Sequence, residues 1–320
     1  MFKKSNVILS KRANIIFNIR RFFFKRNILE VETPILTQHT VTDCHLMPLP
    51  VLCNMNYTNH NNITRWLITS PEYHMKRLLS RDIGPIYQIC HVFRDDESGA
   101  LHNIEFSILE WYQPFYNMFD MMEQIEVLLK SIFQFPACDR VSYQDIFIQR
   151  LSINPFDVDI QKLYNILNKI NHQHLIQKKN TIIDLLNLIF LIVIQPNLGL
   201  QHPIFIYHYP ASQAMLARIN KIDCNVSDRF ELFFKGIELG NGFCELIDSR
   251  EQKKRFDLDN NYRVKLKIPK IAIDMRFINA LNNKYMPYCS GVALGIDRII
   301  MLICHINKIQ EVLTFSVSDC

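Results

Sequence analysis

Apolar residues recur every three to four positions near the start of the chain, which predicts an amphipathic helix over residues 11–26. The apolar positions that share this spacing are Ile15, Ile16, Ile19, Phe22 and Phe23. The helix runs into an alternating stretch, residues 28–34, that ends at Pro34. Proline cannot donate to a sheet ladder, so this stretch is predicted to lie at the end or edge of a sheet.

Two alternating segments on either side of a polar loop predict paired strands at 86–94 and 104–112. The loop between them is longer than the usual hairpin connection, which indicates a role beyond joining the strands. The other elements that the pattern predicts are helices at 117–133, 160–170, 181–194, 249–265 and 299–303, and strands at 230–239 and 291–294. Residues 240–242 are interpreted as a glycine turn, and the asparagine-rich residues 53–64 as a surface loop.

Composition narrows the class of protein without selecting a function. The chain has 320 residues, 48% of them hydrophobic and 21% charged, and a formal net charge of +5. This balance is typical of a soluble globular protein, and the scattered basic residues do not form a nucleic-acid-binding tail. Nine cysteines without a CxxC pair favour a reducing cytoplasm over a disulfide framework or a zinc site. The most apolar stretch, 181–194, is shorter than the ~20 residues of a membrane span, so no membrane partner is expected.

Charged residues cluster at the predicted hairpin. Arg94 ends the first strand, the acidic residues 95–97 follow it, and Asn103 opens the return strand. Along the return strand an otherwise apolar face ends with Glu110 and Tyr112, because alternate side chains share a face. A surface hairpin with a salt-bridged arginine explains these residues as well, and taken alone that interpretation is preferred.

Three further segments each have two interpretations. Ser70-Pro71-Glu72 combines a capping residue, a proline and an acid, which is typical of a helix start and needs no function. Glu238 and Glu245 flank the glycine turn, where they are either solvated or ligands of Mg²⁺ or of a substrate ammonium group. Residues 290–298 place glycines at a strand-to-helix junction, a weak signal by itself for phosphate binding.

The order and combination of these segments strongly resemble a class II aminoacyl-tRNA synthetase catalytic core of the lysyl type. Within that group the chain is most similar to the bacterial ligases that attach (R)-β-lysine to elongation factor P. The stretches that carry this resemblance are TSPEYHMKRLL, FSILEWY, YHYPASQA, ELGNGFCEL and CSGVALGIDR. The similarity extends from about residue 8 to the last residues of the chain.

The resemblance implies an α+β fold with an antiparallel sheet flanked by helices, in a single catalytic domain over residues 1–320. It implies a homodimer built around residues 12–36. A lysyl-tRNA synthetase carries an anticodon-binding domain before its catalytic motifs. Here the first motif begins near residue 20, so we expect no such domain and no stable tRNA binding.

The resemblance also implies roles for individual residues, with ATP and Mg²⁺ as cofactors. Arg94 is expected at the α-phosphate and Arg298 at the γ-phosphate, as the catalytic pair. The expected ATP site contains Arg94, Asp95, Asp96, Asn103, Glu238, Leu239, Gly295 and Arg298. The expected amino-acid site contains Ser70, Pro71, Glu72, Tyr112, Glu245 and Ala293, with Glu110 belonging to either set. Glu238 and Glu245 are the expected metal ligands.

Two positions depart from the related pattern. Asp96 stands where the second class II motif usually has glutamate, so the carboxylate sits on a shorter side chain. Ala293 stands where lysyl-tRNA synthetases generally have glycine. We expect its methyl group to disfavour α-lysine relative to β-lysine.

The implied reaction activates (R)-β-lysine as its adenylate and transfers it to a lysine side chain of elongation factor P. The residues alone identify no base for the transfer step. The alternatives are a truncated lysyl-tRNA synthetase that acts on tRNA and a non-catalytic paralogue.

Overall fold

The computed structural model describes residues 2–54, 62–95, 99–176 and 180–320. In these ranges the helices are α1 (Phe2–Phe24), α2 (Glu72–Leu79), α3 (Met118–Phe133), α4 (Tyr143–Leu151), α5 (Ile160–Lys169), α6 (Ile182–Ile189), α7 (Ser249–Lys265), α8 (Met275–Leu281) and α9 (Ile296–Cys304). The strands are β1 (Leu29–Glu30), β2 (Leu36–Thr37), β3 (Pro50–Asn54), β4 (Asn62–Leu67), β5 (Ile86–Phe93), β6 (Glu105–Pro114), β7 (Asp139–Ser142), β8 (Ile204–Tyr207), β9 (Arg229–Phe234), β10 (Ile237–Cys244) and β11 (Cys289–Gly295).

The large sheet has the strand order β1-β5-β6-β11-β10-β9-β8-β7. Its central pairings are antiparallel, but β1 with β5 and β7 with β8 are parallel. The sheet is therefore antiparallel at its centre, as expected, with a parallel pair at each edge. A parallel pair needs a long crossover, which α4 to α6 supply between β7 and β8.

Predicted boundaries agree best where the hydrophobic pattern is strongest. β5 and β6 start and end within two residues of the predicted strands, and α3, α5 and α7 within one residue of the predicted helices. The predicted helix at 181–194 is α6 followed by a π-helical turn over Phe190–Ile194. Of the predicted loop 53–64, the two ends belong to β3 and β4, and residues 55–61 lie outside the described residues.

The predicted glycine turn at 240–242 is wrong. The chain reverses instead at Lys235 and Gly236, whose φ values of 52° and 74° suit a two-residue hairpin turn. Gly240 and Gly242 lie inside β10, where neighbouring strands leave no room for a side chain. A Cβ on Gly240 would lie 2.7 Å from the carbonyl oxygen of Ala293.

The two faces of the large sheet differ in character. One face packs against α1, α3 and α9 around fully buried side chains such as Phe23 and Trp111. Burying each such side chain stabilises the fold by about 1.5–3 kcal/mol. The other face carries Glu110, Ala293 and Asn241 side by side on β6, β11 and β10. In the described part of the chain, no helix is long and apolar enough to cross a bilayer.

Candidate active site

A cleft opens on the polar face of the large sheet. The predicted ATP-site and specificity residues that line it are Arg94, Asn103, Glu238, Leu239, Ala293, Gly295 and Arg298. Asp95 follows Arg94, and its backbone N–H donates to the carbonyl of Met47 at 2.7 Å. Asp96, the substituted position of the second motif, lies outside the described residues. The fold thus brings most of the predicted nucleotide site together.

Arg298 is held in place by main-chain acceptors. Its guanidinium donates to the carbonyl of Glu238 at 2.9 Å and to that of Leu101 at 3.3 Å, and it contacts His102 Nε2 at 2.7 Å. The residue lies in the first turn of α9, where the helix N-terminus favours anions. These contacts orient a cation towards the cleft before any phosphate binds.

Arg94 lines the same cleft, directly after the end of β5. Its guanidinium carbon lies 5.1 Å from the ring centroid of Phe106, and both residues line the cleft. The backbone N–H of Arg94 donates to the carbonyl of Ile104 at 3.0 Å, which fixes the end of β5 against the start of β6. The aromatic face restrains the side chain, and a flat platform beside a cation suits an adenine ring and its phosphates.

The other predicted nucleotide residues shape the cleft through the backbone. Asn103 donates to the carbonyl of Glu105 at 2.7 Å and accepts from the N–H of Val317, so its amide fixes the loop. Leu239 is buried in the main core and offers main-chain groups to the cleft. A Cβ on Gly295 would meet nothing closer than 3.9 Å. Protein packing therefore does not require glycine there, and the backbone at this position is open to the cleft.

The predicted amino-acid residues meet around a buried carboxyl group, Glu110. Ser70 Oγ donates to its Oε2 and Tyr112 Oη to its Oε1, both at 2.7 Å. Ser70 Oγ also accepts from the N–H of Glu72 at 3.1 Å. α2 begins at Glu72, one residue later than the capping pattern predicted, so Pro71 rather than Ser70 is at the N-cap position. Burial, with the charge of Glu72, raises the pKa of Glu110 to about 7.

Glu245 lies beside this network with 1% of its surface exposed. Burial raises its pKa well above the usual range, although the ammonium group of Lys76 opposes the shift. Lys76 forms ion pairs with Glu245 and with Glu72. Among the described residues no group donates a hydrogen bond to Glu245 Oε1, so an acceptor is available in a buried, acidic pocket.

Glu238 and Glu245 do not form one metal site, so that expectation is corrected. Glu238 lies 4.0 Å from the guanidinium of Arg298, whereas Glu245 pairs with Lys76. Seven residues of strand separate them by roughly 20 Å. A register shift between Glu238 and Gly240 inserts an extra residue, which turns both glutamates to the cleft face. From their spacing in the sequence, two glutamates at opposite ends of a strand could not be distinguished from two ligands of one ion.

Two small residues of β11 shape the amino-acid pocket. A Cβ on Gly291 would lie 2.4 Å from both Glu245 Oε1 and Tyr112 Cε1, so only glycine lets these side chains approach the strand. Ala293 lines the cleft and lies opposite Glu110 on β6 and Asn241 on β10. Its methyl group is therefore part of the cleft wall beside the buried glutamate.

A family model of class II tRNA synthetases, the group for aspartate, lysine and asparagine, matches residues 1–319. The chain belongs to this class II synthetase family. The expected α+β class II fold is thereby confirmed. A ligase from Buchnera aphidicola subsp. Acyrthosiphon pisum (strain APS), named elongation factor P--(R)-beta-lysine ligase, is 51% identical over 98% of this chain and 96% of its own. Proteins of the same name from Sodalis glossinidius (strain morsitans) and Proteus mirabilis (strain HI4320) are each 45% identical over 97% of this chain and 94% of theirs.

Sequence reasoning assigned no role to three charged residues of this class II domain. Asp297 is buried, accepts from the N–H of Ser107 at 2.7 Å and pairs with Arg12 of α1, which also donates to Ser107 Oγ. This contact links α1 to the first turn of α9, next to Arg298. Lys76, the third, is fully buried in the acidic pocket. In the sequence, Asp297 is next to the predicted Arg298, and Lys76 follows Glu72 by one helical turn. These positions are the sequence signals that could have identified them.

Proposed function

We propose that this class II synthetase homologue is an ATP-dependent ligase that activates (R)-β-lysine and transfers it to a lysine side chain of elongation factor P. Relatives that carry that name match 97–98% of the chain. The observation that carries the proposal is a cleft lined by two arginines next to a cluster of buried glutamates. Arg94 and Arg298 line the cleft, and the buried Glu110 lies on the strand beside Ala293 of its wall, with the buried Glu245 close to it.

In the first step the carboxylate of the amino acid attacks the α-phosphorus of ATP and pyrophosphate leaves. The attacking carboxylate is already ionised near neutral pH, so this step needs positioning and charge neutralisation rather than a base. Arg94 would stabilise the phosphate that is attacked, and Arg298 the leaving pyrophosphate. Each charge-assisted contact contributes about 1.5–3 kcal/mol.

Of the two glutamates expected to bind a metal, only Glu238, at the nucleotide end, fits a magnesium ion. Glu238 is a carboxylate at the mouth of the cleft, 39% exposed and close to Arg298. Mg²⁺ prefers one or two carboxylates together with phosphate oxygens and retained waters. When bound it would neutralise charge on the phosphates of ATP. Glu245 is too deeply buried and already paired with Lys76, so we assign it to the amino acid instead.

The amino-acid end fits a substrate with two ammonium groups. Glu72, Glu110 and Glu245 are the acceptors, and Tyr112 and Ser70 fix the orientation of Glu110. In the second step the ε-amine of an acceptor lysine forms an amide with the activated carbonyl and AMP leaves. The cleft is open to solvent, which suits an acceptor that enters on another protein.

The homodimer and the cytoplasmic location belong to the same proposal. Several large apolar side chains on α1, β1 and the segment after it are exposed, namely Phe17, Phe24, Leu29, Ile35 and Leu36. They lie within or close to residues 12–36, the expected dimer region. Sedimentation equilibrium of the wild-type chain would test the dimer, and a monomer at micromolar concentration would refute it.

ATP–pyrophosphate exchange with (R)-β-lysine, α-lysine and no amino acid in parallel tests the activation step. We expect the fastest exchange with (R)-β-lysine, followed by transfer to elongation factor P and none to tRNA. Fastest exchange with α-lysine and transfer to tRNA would establish the truncated synthetase instead. Absence of exchange with every amino acid would establish a non-catalytic paralogue.

A further inference from the structure

A lysine lies at the centre of the acidic pocket, where the proposed reaction gives it no part. Lys76 is on α2 and has 0% of its surface exposed. Its Nζ lies 2.5 Å from Glu72 Oε1, and it forms an ion pair with Glu245 as well. The same Nζ is 5.4 Å from the ring centroid of Phe243 and 5.9 Å from that of Phe277. The ammonium group is therefore held between two carboxylates and two aromatic rings.

The surroundings keep this lysine charged. Burial by itself lowers the pKa of Lys76, but Glu245 and Glu72 more than offset that effect, so its pKa is raised. The titratable groups around the pocket are Glu72 on α2, Glu110 and Tyr112 on β6, Glu245 after β10 and Cys289 on β11. Burial raises the pKa values of Tyr112 and Cys289, so both are neutral near pH 7.

The net charge of the acidic pocket indicates how the lysine contributes to substrate binding. The ionised pocket holds three carboxylates, Glu72, Glu110 and Glu245, and one cation, Lys76. Two further positive charges would neutralise it. An amino acid with two ammonium groups can place both in the pocket while its carboxylate lies at the nucleotide, whereas an ordinary amino acid has one ammonium group to place there. Uncompensated buried charge is strongly unfavourable, so the balance bears directly on which substrate binds.

We propose that Lys76 is a positioning and specificity-determining residue, whose ammonium group holds Glu72 and Glu245 in place and sets the pocket charge for a doubly cationic amino acid. The inference rests on the proposed function, because it assumes that this pocket binds the amino acid. A merely structural ion pair would need one carboxylate partner. Here the cation bridges two carboxylates that reach it from α2 and from the end of β10.

The test compares Lys76→Met, which removes the charge at similar length, with Lys76→Arg, which keeps it. The matched control is Lys253→Met, because Lys253 forms the same i, i+4 pair, with Asp257 at 3.4 Å, on an exposed helix surface. Each full-length protein is assayed by ATP–pyrophosphate exchange at varied (R)-β-lysine and varied ATP, across the neutral pH range. Thermal unfolding of each variant, with and without amino acid, reports folding and binding separately.

We expect Lys76→Met to raise the KM for (R)-β-lysine roughly 10- to 100-fold, the loss typical of a charge-assisted contact, with the KM for ATP within about twofold. Lys76 lowers the pKa values of Glu110 and Glu245, so its removal should move the acid limb of kcat/KM to higher pH. Lys76→Arg should leave that limb in place, and Lys253→Met should match wild type. A lysine that served only the fold would change the fraction of active enzyme and leave KM and the acid limb unchanged.

Other outcomes separate this inference from the proposed function. If Lys76→Met does not fold, Lys76→Arg decides the matter, and an acid limb shifted in that variant would overturn the inference. If wild type prefers α-lysine, the proposed function fails while Lys76 is tested with α-lysine in the same way. Wild-type exchange with norleucine as fast as with either lysine isomer would overturn the charge argument itself.

Discussion

The two parts of the candidate active site, the nucleotide cleft and the acidic pocket beside it, hold their charged side chains in different ways. At the nucleotide part, Arg298 is partly exposed and is held by carbonyls of the backbone, so its charge is compensated by dipoles and remains available to phosphate. At the amino-acid part, Glu110 and Glu245 are almost fully buried and depend on neighbouring side chains. Substitutions at the first part should therefore affect catalysis, and those at the second should affect binding and its pH dependence.

Removal of the arginine at the nucleotide part should have the largest effect. Arg298→Ala should lower the rate of ATP–pyrophosphate exchange roughly 100- to 1000-fold, because a preoriented cation acts most strongly on charge that develops in the transition state. The control is Arg250→Ala, on the exposed surface of α7. A fall in exchange of less than tenfold with a folded protein would contradict the role given to Arg298.

Glu245→Gln should act on the other part of the cleft. It replaces a buried carboxylate by a neutral amide and leaves Lys76 with the charge of Glu72 alone, so the KM for (R)-β-lysine should rise about 10- to 100-fold while the KM for ATP stays constant. Steady-state exchange kinetics separate the two constants. A larger change in the KM for ATP would show that Glu245 serves the nucleotide, which would remove the contrast between the two parts.

The pH dependence of amino-acid use should follow Glu110. Its pKa of about 7 means that the carboxylate is protonated below that pH, and only the ionised form attracts an ammonium group. kcat/KM for (R)-β-lysine should therefore fall about tenfold for each pH unit below this value, and Glu110→Gln should shift that limb and leave the part that belongs to Glu245. In the unliganded protein, the same titration of Glu110 changes the free energy of unfolding with pH in the opposite direction. The folded state binds this proton more tightly than the unfolded chain, so the contribution to stability is lost as pH rises towards about 7.

The smallest effect is expected at the junction between the two parts. Ala293→Gly should raise the use of α-lysine relative to (R)-β-lysine about fivefold, because one methyl group in an open cleft contributes near the lower end of 1–3 kcal/mol. Competition between the two isomers in the exchange assay measures the ratio. An unchanged ratio would remove Ala293 from the determinants of specificity.

The nucleotide site was more predictable than the amino-acid pocket. Arg94 follows a strongly patterned strand and Arg298 lies in the first turn of an apolar helix, and the resemblance of these two segments to class II motifs implied their roles. Lys76 appeared as one of several basic residues on a short helix, where an exposed lysine is the usual outcome. Its burial depends on Glu245 and Phe277, which are far away in sequence and packed by α8 and β10.

The sequence by itself determined the local elements, because a period of two or of 3.6 residues and a capping serine act within a few residues of chain. It also determined, through the order of its motifs, the class of catalytic domain. Only the tertiary structure decided that Glu238 and Glu245 serve different parts of one cleft, and that Arg12 meets Asp297 across 285 residues. Strand register, a bulge and the packing of distant helices fix these pairings, and none of them leaves a periodic signal in the chain.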